Sequence, residues 1–132
     1  MSDSIKHECG IALLRLLKPL RYYQEKYGSL FFGIYKMYLM LEKQHNRGQD
    51  GAGFASIKFD MNPGDSFMSR VRSSENQPIQ EIFSKINSSI NTVFQELGNT
   101  DLTDLEIKQA YPYLGEIMMG HLRYGTFGNN SI

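Results

Sequence analysis

Residues 78 to 97 carry the pattern that most restricts what this chain can fold into. Ile79, Ile82, Phe83, Ile86, Ile90, Val93, Phe94 and Leu97 recur at three- and four-residue intervals, with polar side chains between them. That spacing gives a helix one apolar stripe and leaves its other side to water. Pro78 suits the first turn, where an N–H would have no partner, and Gly98 ends the helix. The stripe is core packing rather than a ligand box, and it needs an apolar layer to lie on.

Strands supply that layer. Cys9 to Leu17 is apolar apart from Arg15, and reads as a short buried strand beginning at the cysteine. Gly115 to Arg123 is apolar on both sides of its alternation, like a strand buried on two faces. Phe54, Ser56, Lys58 and Asp60 alternate with Ala55, Ile57 and Phe59, as in a half-buried strand. Asn62-Pro63-Gly64-Asp65 is a turn, and Phe67 to Val71 completes a hairpin. Ser29 caps a second helix running to about Gln44, with Leu30, Ile34, Met37, Tyr38 and Leu41 on one face. A short helix is expected from Thr103 to Ala110, stopped by Pro112. Lys18 to Ser29, broken by Pro19 and Gly28, reads as a connecting loop or short helical turn. Gly48 to Gly53 holds three glycines in six residues and reads as a turn. Periodicity alone therefore supports only a mixed α/β class of helices and strands.

The bulk properties exclude several functions. A chain of 132 residues is one domain at most, and 41% hydrophobic with 21% charged residues argues against global disorder. Acidic and basic residues balance at 14 each, so no nucleic-acid footprint or polybasic membrane signal is present. The longest apolar stretch, Leu30 to Leu41, includes Gly33 and Lys36 and is too short to span a bilayer. Met1 to Glu8 lacks the apolar segment of a secretory signal. With one cysteine there is no intrachain disulfide, and a reducing, cytoplasmic location is expected. Three dispersed histidines and one cysteine give no zinc spacing, and no phosphate-cradling glycine loop appears. No metal or cofactor is expected in this chain.

The single cysteine stands in His7-Glu8-Cys9-Gly10-Ile11. Such a thiol is either a small buried hydrophobe or a nucleophile. A nucleophile requires a lowered pKa or a base, because a free thiol is only slightly ionised near neutrality. Were Met1 to Glu8 removed, the α-amino group of Cys9 itself, titrating at about 7.7–8.0, would serve as that base. While Glu8 stays attached, the same nitrogen is an amide and accepts no proton.

Two further runs stand out: Gln44-His45-Asn46-Arg47-Gly48-Gln49-Asp50-Gly51-Ala52-Gly53 and Met119-Gly120-His121-Leu122-Arg123-Tyr124-Gly125-Thr126-Phe127-Gly128. Together the three runs resemble the class II (N-terminal nucleophile) glutamine amidotransferase domain and, among its branches, the amidophosphoribosyltransferases of purine synthesis. The resemblance spans the chain from end to end, with poorly matched sequence between the motifs. It implies an α+β fold, a four-layer αββα sandwich of the N-terminal nucleophile hydrolase type, incomplete in this chain. It also implies that residues 1–8 are a leader removed on maturation and that residues 9–132 are the N-terminal part of the glutaminase domain.

On that resemblance Cys9 attacks the side-chain amide of glutamine, and ammonia passes to phosphoribosyl pyrophosphate on a C-terminal phosphoribosyltransferase domain of the same polypeptide. Magnesium would belong to that domain, and the full-length protein would be a homo-oligomer. Arg123, Tyr124 and Thr126 take the role of gripping the glutamine α-carboxylate, for which a guanidinium is the natural bidentate partner. Arg47 and Asp50 support the nucleophile. Gln49 matches the phosphoribosyl branch, where the asparagine synthetase branch has proline and the glucosamine branch tyrosine. Phe127 also departs from the histidine that some branches place there. Asn46 separates His45 from Arg47, which the family joins directly, so His45 receives no role. His121 is expected as a core histidine bonded to a backbone carbonyl. The Asn-Gly pair of the family's oxyanion hole, and the aspartate that holds the substrate ammonium, do not follow Arg123. Little turnover is therefore expected of the chain as it stands. Two other readings stay open: a glutamate synthase type of the same class, and a non-catalytic binding module that keeps its leader.

Overall fold

The computed structural model describes residues 9–44, 50–98 and 100–123. The elements run in the order β1 (Gly10–Arg15), α1 (Leu20–Tyr27), α2 (Phe32–Lys43), β2 (Gly51–Ile57), β3 (Met68–Ser73), α3 (Pro78–Leu97), α4 (Asp104–Ala110) and β4 (Ile117–Arg123). The strands make one sheet in the order β1-β4-β2-β3, antiparallel throughout. This is an α+β fold.

Antiparallel pairing decides which side chains share a face. On one face lie Ala12, Met118, Gly120, Leu122, Ala52 and Phe54, covered by α2 over β1 and β4 and by α3 over β2 and β3. Met37 and Leu41 of α2 meet Ile82 and Ile86 of α3 there, all fully buried with Met118 and Leu122. Gly120 permits the close approach of α2: a Cβ at that position would lie 2.8 Å from Met37 Sδ and 2.9 Å from both Leu41 methyls. The first half of the α3 stripe, Ile79 to Ile86, is buried, whereas Phe94 near its end is 50% exposed.

The other face of the sheet is open. Ile11 is 65% exposed, Leu13 68% and Met119 44%. The expectations of a buried first strand and of a last strand buried on two faces are thus corrected: each alternates, with one side packed and one side bare.

Three local expectations also change. Lys18 to Ser29 contains a full helix, α1, although Pro19 at its N-cap contributes no side-chain cap. Asp104 supplies the cap from α4: its Oδ1 accepts the N–H of Leu20 at 2.7 Å and of Arg21 at 3.3 Å. Gly51 and Gly53, expected in a turn, instead lie in β2, hydrogen-bonded between β3 and β4. Ser29 does not cap α2, whose N-cap is Phe31; its Oγ accepts the Phe31 N–H at 2.9 Å in the loop before the helix. Thr103 and Glu106 form a capping box that starts α4. Among the described residues no helix is long and apolar enough to cross a membrane.

Candidate functional site

Cys9 is exposed and immediately precedes β1. The first rung of the β1–β4 ladder pairs Gly10 with Leu122, so the register continued by one residue sets Cys9 opposite Arg123. On its other side Arg123 pairs with Gly51 of β2, and its carbonyl accepts the Asp50 N–H at 2.9 Å. Three separate segments therefore meet at one end of the central strand. They bring together Cys9, Arg123 and Asp50 of the residues named from sequence. Arg47, Tyr124, Thr126 and the leader 1–8 lie outside the described residues.

Gly51 pairs with Arg123 at this end, and a side chain there would make only ordinary contacts. A Cβ there would sit 3.6 Å from the Arg123 Cβ and 3.4 Å from the Ser73 carbonyl oxygen. On the covered face Gln44, at the C-cap of α2, folds over the residue after the cysteine. Its Nε2 donates to the Ile11 carbonyl at 3.3 Å, and a Cβ on Gly10 would collide with its Oε1. Gln44 was part of a quoted run but carried no role; the signal available in sequence was a glycine directly after the thiol. It ties the helix end to the start of β1.

His121 is a correction. Rather than a core histidine, it is exposed on the open face, in a row that reads Ile11, His121, Gly53, Arg72 across the four strands. Arg72 had no sequence signal of its own, since a charged residue on an edge strand is ordinary.

Chemically, this end of the sheet combines an accessible thiol just before β1 with an arginine at the end of the neighbouring strand β4. That pairing suits a ligand with an electrophilic carbon and a carboxylate on one short chain. Among the described residues no group of three or more His, Cys, Asp or Glu side chains is arranged to hold a metal ion. A groove of about 760 Å³ runs between α2 and α3 past Phe31, Tyr35, Tyr38, Phe83 and Asn87, and no strand residue lines it. It therefore does not border Cys9. No protein-family model, curated protein or solved structure matches the chain.

Proposed function

We propose that Cys9 is the nucleophile of a glutamine amidotransferase of the amidophosphoribosyltransferase type. The observation that carries this reading is the β1–β4 register, which extended by one residue beyond Gly10 and Leu122 brings Cys9 opposite Arg123; directly paired residues stand about 4.5–5.5 Å apart. Glutamine binds with its α-carboxylate on Arg123 and its side-chain amide toward the sulfur. Asp50, bonded through its N–H to the Arg123 backbone, holds that end of β4 in place. Arg47, Tyr124 and Thr126 act in the supporting and substrate-gripping roles that their motifs imply.

The reaction runs in two steps. The thiol proton passes to the α-amino group of Cys9, freed by loss of residues 1–8, as sulfur bonds to the amide carbon. The C–N bond then breaks, and ammonia leaves carrying the transferred proton. Water adds to the γ-glutamyl thioester and releases glutamate and the thiol. The ammonia serves a phosphoribosyl acceptor bound on a further domain of the polypeptide. In the finer reading of the fold, the open face carrying Ile11, Leu13 and Met119 receives a second sheet, which gives the four-layer αββα sandwich.

The test uses the natural full-length protein and a glutamine analogue with an electrophilic ketone in place of the amide. One label per chain is expected on Cys9 by mass spectrometry, on protein that has lost residues 1–8, with none on Cys9→Ala. Active enzyme that retains Glu8 joined to Cys9 refutes the mechanism.

A further inference from the structure

Loss of residues 1–8 would make Cys9 a chain terminus, and terminal residues stay poorly ordered unless something ties them down. The ladder gives little hold there. β1 lies at the edge of the sheet, and its first paired residue is Gly10, opposite Leu122. The Leu16 N–H donates to the Glu116 carbonyl at 2.7 Å, which fixes the alternation of the β1–β4 ladder. Gly10, Ala12 and Leu14 therefore turn their N–H and C=O toward β4, while Ile11 and Leu13 turn theirs to the free edge. Continued by one residue, the alternation puts Cys9 in the second set, so its backbone groups receive no ladder bond from β4.

What holds this end comes from α2. Gln44, at the C-cap of that helix, donates from Nε2 to the Ile11 carbonyl on the free edge, at 3.3 Å. A Cβ on Gly10 would lie 3.4 Å from its Cδ and 3.5 Å from its Cβ, and would overlap its Oε1. The carboxamide thus fills the room of a missing side chain on the packed face, directly behind the residue after the thiol. Gln44 is itself fixed. Its N–H donates to the Leu41 carbonyl at 3.0 Å, and the Leu41 side chain is fully buried.

Backbone conformation does not call for the glycine at position 10, since the positive-φ glycines are Gly28, Gly64 and Gly98. Glycine weakens a strand and often marks the close approach of another group. The group here is the Gln44 carboxamide. Glycine also gives the chain its widest choice of φ and ψ, so the residue beside the nucleophile needs a restraint from outside.

We infer that Gln44 is the positioning residue for Cys9: pressed on Gly10 and bonded to Ile11, it fixes the start of β1 so that thiol and freed amine meet the substrate amide in one orientation. The inference rests on the amidotransferase reading and deepens it. Gln44 touches no reacting atom and acts through the backbone of the two residues that follow the nucleophile. Arg123 keeps its own hold on the glutamine carboxylate. Loss of Gln44 should therefore lower kcat and leave KM for glutamine nearly unchanged.

The experiment compares the full-length protein with its Gln44→Met variant, both beginning at Cys9 as verified by intact mass. Methionine keeps the length of the side chain and removes the Nε2 donor. Glutamine hydrolysis should fall about tenfold to a hundredfold in kcat, with KM within about twofold. Labelling of Cys9 by the electrophilic ketone analogue should slow in step. Alkylation by iodoacetamide, which needs no aimed approach, should keep its rate within about twofold. Gly10→Ala should give the same loss by displacing the carboxamide, and the double variant should be little worse than either. Should Gln44→Met fail to fold, Gln44→Glu, equal in size and without the N–H donor, decides by the same readouts. An unchanged kcat, a rise in KM alone, or an equal slowing of iodoacetamide overturns the positioning role. A wild type that neither hydrolyses glutamine nor takes the label overturns the amidotransferase reading instead, and this role falls with it.

Discussion

Lys108 Nζ lies 2.8 Å from Glu116 Oε2, and both side chains are shut away from water. The same ammonium donates to the Phe59 carbonyl at 2.6 Å, and Glu116 Oε1 accepts the Phe59 N–H at 2.9 Å. Lys58 Nζ closes the cluster by donating to the carbonyls of Lys108 and Tyr111, at 2.6 and 2.9 Å. This polar knot fastens α4 and the start of β4 to the chain leaving β2.

Removing one member of the ion pair leaves the other charged and buried. Lys108→Met should therefore destabilise the fold by about 3–5 kcal/mol, read from urea unfolding. Replacing Glu116 by Gln in the same chain should recover part of that loss.

Lys58 makes stability depend on alkaline pH. Burial, and after it the Lys108 charge, holds the Lys58 ammonium below its ordinary value of 10.5. Between the lowered value and 10.5 the unfolded chain binds more protons than the folded one, so this group's contribution rises with pH across that window. Tyr111 opposes it. Burial raises its phenol above 10.0, giving a contribution that is present at lower pH and lost as pH rises through the raised value. Unfolding measured from about pH 7 to about pH 10 should show wild type gaining on Lys58→Met as pH rises. Tyr111→Phe should remove the opposing loss.

Asp104 caps a helix that begins 84 residues earlier in the chain. Asp104→Ala should cost about 1–2 kcal/mol and speed amide hydrogen exchange in the first turn of α1. Asp104→Asn should keep much of the cap, since its amide oxygen accepts the same bonds.

Ser56 is fully buried under the helices, and among the described residues its Oγ has no hydrogen-bond partner. Ser56→Ala should raise stability by about 1 kcal/mol, because it removes a hydroxyl that folding strips of water without return. Thermal melting of the pair of proteins checks this.

The bare face of the sheet gives the opposite result. Leu13→Thr and Ile11→Thr should each change the stability of this chain by less than about 0.5 kcal/mol, since neither side chain is packed. The same changes should reduce concentration-dependent association in sedimentation, because they shrink an exposed apolar patch.

Residues that act locally were legible in the sequence. The stripe of α3, with Pro78 before it and Gly98 after it, marks the helix within its own twenty residues. Thr103 likewise announces α4. Gly51 and Gly53 misled because their local preference is for turns, and only pairing with β3 and β4 holds them extended. The helix α1 was obscured for a related reason, since its cap belongs to another helix. The one-sided exposure of β1 and β4 was also hidden, because both of their alternating faces are apolar. Of the site, the residue types at Cys9, Arg123 and Asp50 stood out as motifs. Their adjacency follows from register, as does the position of Arg72 across Gly53 from His121, and neither is visible along the chain.

The strand order has a consequence for biosynthesis. The hairpin of β2 and β3 can close as soon as it leaves the ribosome, but β1 has no neighbour until β4, the latest of the four described strands in the chain, slides between them. Loop closure over that separation is slow compared with hairpin formation. The thiol is thus synthesised ahead of all four described strands, yet it is seated only after β4. A nascent chain cannot bring it against the arginine before translation has passed β4.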